Sequence, residues 1–495
     1  MTAGAWIGHL GSGLMLVFLC LLALRCAGQL GILARDPFAR GAPLQHGPES
    51  PGGYPPSPGR AGGPVWRPAG RELLAAFCGV LAVQWAFVFV CWLGLRQPGG
   101  MPAFFAHAWQ RFTTAGDSPH YLLLARQGYA TTGEAAKYIV FYPLYPLLIR
   151  LLHTLLAPFG AGWGSSALLC SQLCWGGAGA AMLRLAGRHF GPGQASAAVL
   201  LMALYPFGFF ALGVFTESLF LLLCLLCITA AEECRWPAAG LFCALAGLCR
   251  TQGLALLPAF WYLWLKAEGG RLALALRPGR AQKGGGSQKT AHARGAGRAR
   301  DAGHLQDTYP ARDRGCARRW VFRAPKTRPG PLGRALLGLA LAPLGYLCYL
   351  ALNLRLFGNA LVFLQYQSAP PWYQSIRWIG PNLAQHWQMA QQYPGLAPFL
   401  YHSQLALYFI AIAMLLWGVL AGQPVHWLVW GGGYLGMCYL SSWLISGSRY
   451  VFGCLPLFLL GAGLPYRPAR LGLAALSALF LYRMGVFFMQ GQAIM

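Results

Sequence analysis

The sequence predicts an all-α polytopic membrane protein, and three observations predict it. Of 495 residues, 56% are hydrophobic and only 10% charged, against about 25% charged in a soluble domain. The apolar excess falls in blocks of roughly 20 residues, the length that spans a hydrocarbon core of about 30 Å. Basic residues flank those blocks, so the net charge of +26 follows the positive-inside pattern of membrane proteins rather than a nucleic-acid footprint. No nucleic-acid partner is expected, and membrane lipids are.

The elements follow in order. The first apolar block, 5–25, has no basic segment before it and reads as a retained span, not a cleaved signal peptide. Residues 26–72 are rich in Gly, Pro and Arg and read as a linker. A second span covers 73–95. Residues 96–138 are amphipathic. The stretch 139–157 is apolar enough to cross, but carries two prolines and then Arg150 and His153; it is expected to lie in the interface. Further spans are expected at 166–187, 194–212, 217–231, 236–250, 251–265, 334–353, 401–421, 425–445, 449–465 and 471–488, about 11–12 transmembrane helices in all. The short pair 236–250 and 251–265 meets at Arg250-Thr251-Gln252-Gly253, and broken helices at membrane depth need protein or a cavity around them.

Four regions result: 1–72, an extra span with its linker; 73–265, a core module with an outward loop at 96–165; 266–333, a polybasic loop; and 334–495, the C-terminal helices. Residues 266–334 hold 17 Lys and Arg against four acids, a net of +13, so this loop is expected to be disordered and cytoplasmic. Alternating the spans from there puts every dense basic cluster on one side. Asp117, Glu217, Arg250 and Arg449 then fall on the other.

Acids are scarce, 12 in the whole chain, and nine have simple readings. Asp36, Glu49 and Glu72 belong to the first linker. Glu232 and Glu233 cap a span. Glu268, Asp301, Asp307 and Asp313 are assigned to the polybasic loop. Of the other three, Glu134 precedes Lys137 by one turn and reads as a surface ion pair. Glu217, between two apolar blocks, is either a first-turn residue complementing the helix dipole or a functional carboxylate at membrane depth. Asp117, in Gly116-Asp117-Ser118-Pro119-His120-Tyr121, is either a helix start or a general base in an outward loop, with His120 placed to orient it or to bind a diphosphate or sugar. Arg250 and Arg449 lie on the side that positive-inside disfavours. They are snorkelling residues or phosphate ligands, for which the planar guanidinium suits them. Aromatics crowd the same side, mostly as an interfacial belt. The 15 Cys read as small buried hydrophobes, with neither a metal site nor a disulfide framework indicated.

Gly116-Asp117-Ser118-Pro119-His120-Tyr121, then Ala125-Arg126-Gln127-Gly128-Tyr129, then Phe141-Tyr142-Pro143-Leu144-Tyr145-Pro146 resemble, in that order, the PIG-V-like mannosyltransferases. Tyr205-Pro206, Phe215-Thr216-Glu217-Ser218, Arg250-Thr251-Gln252-Gly253 and Ser448-Arg449-Tyr450 continue the match, well over 73–265 and loosely over 334–488. Gly116 stands where members commonly have Trp, and the first span and both linkers are additions. The resemblance implies a GT-C glycosyltransferase fold with its site at the non-cytoplasmic face, in the plasma membrane of a bacterium or the endoplasmic reticulum of a eukaryote. It implies a mannosyl transfer from a polyprenyl-phosphate sugar donor to a lipid-linked or glycan acceptor, with inversion. By analogy Asp117 is the base, Glu217 supports it, and Arg250 and Arg449 hold the leaving phosphate. His120, Tyr121, Tyr142, Tyr145, Gln252 and Tyr450 join them as substrate contacts, without metal or cofactor. The alternative class is a secondary transporter or a flippase for lipid-linked oligosaccharide, which should carry midplane ionisable groups and internal repeats. An intramembrane serine protease lacks its Gly-x-Ser frame around Ser448.

Overall fold

The computed structural model describes residues 2–33, 66–96, 98–275, 331–395, 400–444 and 446–492. The described residues are helical throughout, with one isolated bridge, Ile376 to Ser441, and no strand. In order they form α1 (Ala3–Gln29), α2 (Gly70–Gly94), α3 (Met101–Thr114), α4 (Ser118–Gln127), a 3₁₀ turn (Glu134–Val140), α5 (Leu144–Leu156), α6 (Trp163–Gly187), α7 (Pro192–Ala203), α8 (Glu217–Glu232) and α9 (Trp236–Cys249). After a further 3₁₀ turn (Thr251–Ala255) come α10 (Leu256–Ala275), α11 (Leu332–Leu341), α12 (Leu344–Phe357), α13 (Val362–Ser368), α14 (Ile379–Gln392), α15 (His402–Leu420), α16 (Val425–Tyr439), α17 (Gly447–Val451), α18 (Pro456–Ala462) and α19 (Arg467–Met489).

Among the described residues, six helices are long and apolar enough to cross a membrane: α1, α2, α6, the α11–α12 pair as one span, α15 and α19. The chain is therefore a multi-pass membrane protein. The 11 to 12 full-length spans expected are not met, because several are shorter helices at the centre of the bundle. The span expected at 194–212 stops at Ala203: Pro206 cannot continue it, and the Gln84 amide donates to the Ala203 carbonyl at the break. The span expected at 449–465 is the broken pair α17 and α18. It breaks around Gly453, where a Cβ would collide with the Tyr434 hydroxyl. The stretch 139–157 divides at a bend of 105°. Its helical part α5, 13 residues, is about 20 Å long and too short to cross a core of ~30 Å. Leu147, Leu151 and Leu155 are exposed along one face while Tyr145 and Ile149 are buried on the other, the division expected of an interfacial helix.

One linker boundary moves. Helix α10 runs to Ala275, ten residues into the segment read as loop. Glu268 is accordingly not a loop acid: it is buried, accepts a hydrogen bond from Trp236 Nε1 at 3.0 Å and pairs with Arg271. Residues 276–330 and 34–65, with Asp36, Glu49, Asp301, Asp307 and Asp313, lie outside the described residues.

Helix α8 orients the bundle. Its 16 residues separate Glu217 from Glu232 by roughly 22 Å of rise. At the Glu232 end, Arg188 and Arg184 at the close of α6 pair with Glu232 and Glu233, each at 2.9 Å. Trp264 Nε1 donates to the Ala335 carbonyl at 2.9 Å beside the Trp236–Glu268 contact. The flanks of 276–330 therefore leave the fold at this end. So do those of the first linker: Gln29 accepts from Tyr262 at 2.7 Å, and Trp66 packs on Gly187 closely enough that a Cβ there would sit 2.9 Å away. Call this the linker end. Glu217 lies at the other.

Candidate active site

The opposite end of α8 gathers four charged side chains from four distant segments. Gly116 takes φ +53, a left-handed conformation that favours glycine, and turns the chain from α3 into α4. Asp117 follows as the residue before α4, yet its side chain makes no cap hydrogen bond. It accepts instead from Arg449 Nη1 at 2.7 Å. Arg449 Nε donates to Glu217 Oε1 at 2.5 Å, and Arg250 Nη1 lies 2.9 Å from that same oxygen. Glu217 opens α8 but is held by two arginines. For both acids the ion pairing adds to the helix-start position.

Burial separates their roles. The side chains of Glu217, Arg449 and Arg250 are 3%, 4% and 10% exposed, whereas Asp117 is 29% exposed. The fixed part of the cluster is thus an Arg–Glu–Arg triad, and Asp117 is its face toward solvent. Two carboxylates against two guanidiniums give formal neutrality, which a buried cluster requires. Arg449 also packs against the edge-to-face pair of Phe210 and Phe215, 4.8 and 4.7 Å from their centroids, and Arg250 lies over Tyr450 at 5.2 Å. These rings exclude water and attract the cations.

Local backbone explains why these residue types sit together. In Arg250-Thr251-Gln252-Gly253 the chain turns so tightly that a Cβ on Gly253 would lie 2.5 Å from the Ala246 backbone. Ahead of Arg449, Tyr205 donates its hydroxyl to the Ser448 carbonyl at 2.6 Å and Gln404 Oε1 accepts the Gly447 N–H at 3.2 Å. That pins the 446–449 segment.

The other expected contacts divide. Tyr121 is buried within electrostatic reach of Asp117, Arg250, Arg449 and Glu217; burial and then the Asp117 charge push its phenol above the ordinary range, so it stays a neutral donor. His120 is half-buried against Tyr138 at 4.4 Å. Burial holds its imidazole below the usual value, while the Asp117 carboxylate pulls the other way. Gln252 is half-exposed on the turn behind Arg250. Tyr145 and Tyr142 do not join the ion cluster through their hydroxyls. Tyr145 is fully buried with its hydroxyl 2.6 Å from Ser171 Oγ, underneath Tyr121. Tyr142 stacks on Tyr349 at 3.8 Å and accepts from Thr251 at 3.0 Å. Glu134 pairs with Lys137 on the surface as expected.

Sequence reasoning passed over Phe210, and it quoted Phe215 and Tyr205 within matched motifs without giving either a role. Phe215, two residues before Glu217, was the nearest to a signal. It also passed over Cys224-Leu225-Leu226-Cys227, a C-x-x-C pair buried within α8. The 14 cysteines among the described residues are free thiols. At the linker end His189, Glu232 and His426 bring ligating atoms within 4.8 Å of one another. Arg188 already bonds Glu232, and Arg184 and Arg235 hold Glu233. The surplus of arginine disfavours an added dication, and the group reads as an ion-pair network joining α6, α8 and α16. Comparison with protein-family models, curated proteins and solved structures finds no match to this chain.

Proposed function

We propose that the chain is an integral membrane glycosyltransferase that moves a hexosyl residue, mannosyl by the resemblance, from a polyprenyl-phosphate donor to a lipid-linked or glycan acceptor. The observation that carries this reading is the unequal burial of one cluster: a partly exposed carboxylate, Asp117, held 2.7 Å from an arginine that is itself buried against Glu217.

In this reading the acceptor hydroxyl approaches Asp117. Its oxygen attacks the anomeric carbon, the bond from that carbon to the donor phosphate breaks, and the proton passes to Asp117. The configuration inverts because displacement is direct. Charge makes the arrangement useful. Once Asp117 is neutral, the cluster changes from formally neutral to +1 as the leaving phosphate gains charge. Arg449 and Arg250 are then cations facing a developing anion in a low-dielectric site, where such stabilisation is largest. Glu217 keeps both guanidiniums in place. The polyprenyl tail would lie in the membrane beside Tyr142–Pro146, and the GT-C architecture belongs to the same reading.

Transfer is favoured over transport because ionisable groups gather at the two ends of α8, whereas a transporter places them near its middle. The test is reconstitution of the full chain with radiolabelled polyprenyl-phosphate-mannose and candidate acceptors. Label moved onto an acceptor supports the enzyme; scrambling or efflux without transfer supports the transporter or flippase and ends this proposal.

A further inference from the structure

At the same end of the bundle as the ion cluster lies a polar hollow with a different chemistry. Helix α14 packs its buried face on the start of α1, where a Cβ on Gly8 would lie 2.6 Å from the Gly380 carbonyl. Since Gln29 closes α1 at the linker end, α14 sits at the site end. Its exposed side carries Gln385, Gln388 and Gln392, spaced i, i+3, i+7, with Gln388 bordering the contact with α1. Two adjoining cavities of about 460 and 400 Å³ open along this face, sharing Arg377, Gln385 and Met389 in their walls, each of the size that small-ligand sites have.

The opposing wall is tied together by hydrogen bonds. Ser375 and Ser442 exchange backbone and side-chain hydrogen bonds at 2.8 and 2.9 Å, and Arg377 N–H donates to the Leu440 carbonyl at 2.8 Å. This pairing presents the rings of Tyr373 and Trp443 together, 5.8 Å apart. At the floor, His386 is 2% exposed, and its Nε2 has no hydrogen-bond partner among the described residues.

We propose that this hollow is the subsite for the neutral glycan part of the acceptor, an inference that rests on the glycosyltransferase reading. Its walls carry no carboxylate, and their one arginine is engaged by the Asn382 and Gln385 side-chain oxygens. A cation has no partner there and a diphosphate has no arginine pair. Carboxamides both donate and accept, matching adjacent sugar hydroxyls. The Tyr373 and Trp443 rings offer an apolar face with a polar edge for a pyranose ring. The buried His386 Nε2 is an unfilled hydrogen-bonding position for a further hydroxyl, and such a group is costly left unpaired. Continuity with the chemistry comes from the chain itself: Trp443 lies six residues before Arg449, within roughly 20 Å even if fully extended. An acceptor glycan seated here would present its growing end toward Asp117.

The experiment uses the full chain in nanodiscs and mannotriose as probe, with maltotriose for comparison, read by saturation-transfer difference NMR. Wild type is expected to bind mannotriose. Gln385→Ala and Gln388→Ala, both on an exposed face and checked for an unchanged melting profile, are expected to weaken binding roughly tenfold, as losing a hydrogen-bonding group does. Trp443→Ala should abolish the aromatic contact. No binding by wild type, or unchanged binding by both glutamine variants, overturns the proposal. The transfer assay separates it from the enzyme reading. Transfer with acceptor KM raised about tenfold in Gln385→Ala, and kcat held, supports both. Transfer with acceptor KM unmoved overturns the subsite and leaves the enzyme. Trisaccharide binding that is lost in the variants, without transfer from any donor, supports a sugar site and overturns the enzyme.

Discussion

Arg449 and Asp117 are 332 residues apart in sequence and 2.7 Å apart in space. The same guanidinium reaches Glu217 through a different nitrogen, so one side chain ties the α3–α4 turn to the head of α8. Its planar fork matters here more than its charge.

Arg449→Ala should therefore destabilise the protein by about 3–5 kcal/mol, because Glu217 would stay buried with one partner fewer. Arg449→Lys should restore little of this, since a point charge cannot bridge two carboxylates from fixed positions. Thermal unfolding of the purified protein compares them; a lysine variant as stable as wild type would show that the fork is not what holds the cluster.

Glu217→Gln and Asp117→Asn should differ in kind. The first leaves two buried guanidiniums with a single carboxylate and should cost about 3 kcal/mol or more. The second removes a partly solvated partner while the Arg–Glu–Arg triad survives, and should cost about 1 kcal/mol or less. The same melting experiment decides; equal losses would mean that Asp117 is as structural as Glu217.

Gly253→Ala should weaken the turn that aims Arg250. A Cβ 2.5 Å from the Ala246 backbone forces α9 and the turn apart, at a cost of roughly 1–3 kcal/mol. Reduced yield and a lower melting temperature are the expected readouts, and a neutral substitution would contradict the close approach.

His120 supplies a pH dependence with a definite sign. Its folded value lies below the ordinary one because of burial, with the Asp117 charge opposing. As pH falls through the ordinary histidine value near 6.5, the unfolded chain takes up the proton first and stability declines. His120→Phe should flatten that part of the stability–pH curve, measured by unfolding at a series of pH values.

Much of the site was legible because acids are rare in this chain: with nine of twelve explained by position, Asp117 and Glu217 stood out, and alternation of the spans marked Arg250 and Arg449. The contacts themselves were not legible. Nothing in the sequence says that Arg449 pairs with both acids, since both were open to cap readings. Phe210 looks like any of the 28 Phe until Arg449 is seen packed against it. Helix ends failed where tertiary contacts set them. Apolar composition carried 194–212 past Pro206 and 449–465 past Gly453, while the Trp236–Glu268 bond buried an acid counted as loop. Tyr145 matched a motif but is used for packing through Ser171.

The central claim is that Asp117 takes the acceptor's proton, and the most direct measurement is mannosyl transfer by the reconstituted Asp117→Asn protein beside wild type, with melting temperature followed on the same samples. A loss of roughly 10²-fold or more in turnover, with the fold intact, is the predicted result. Near-wild-type transfer by the intact variant would contradict it.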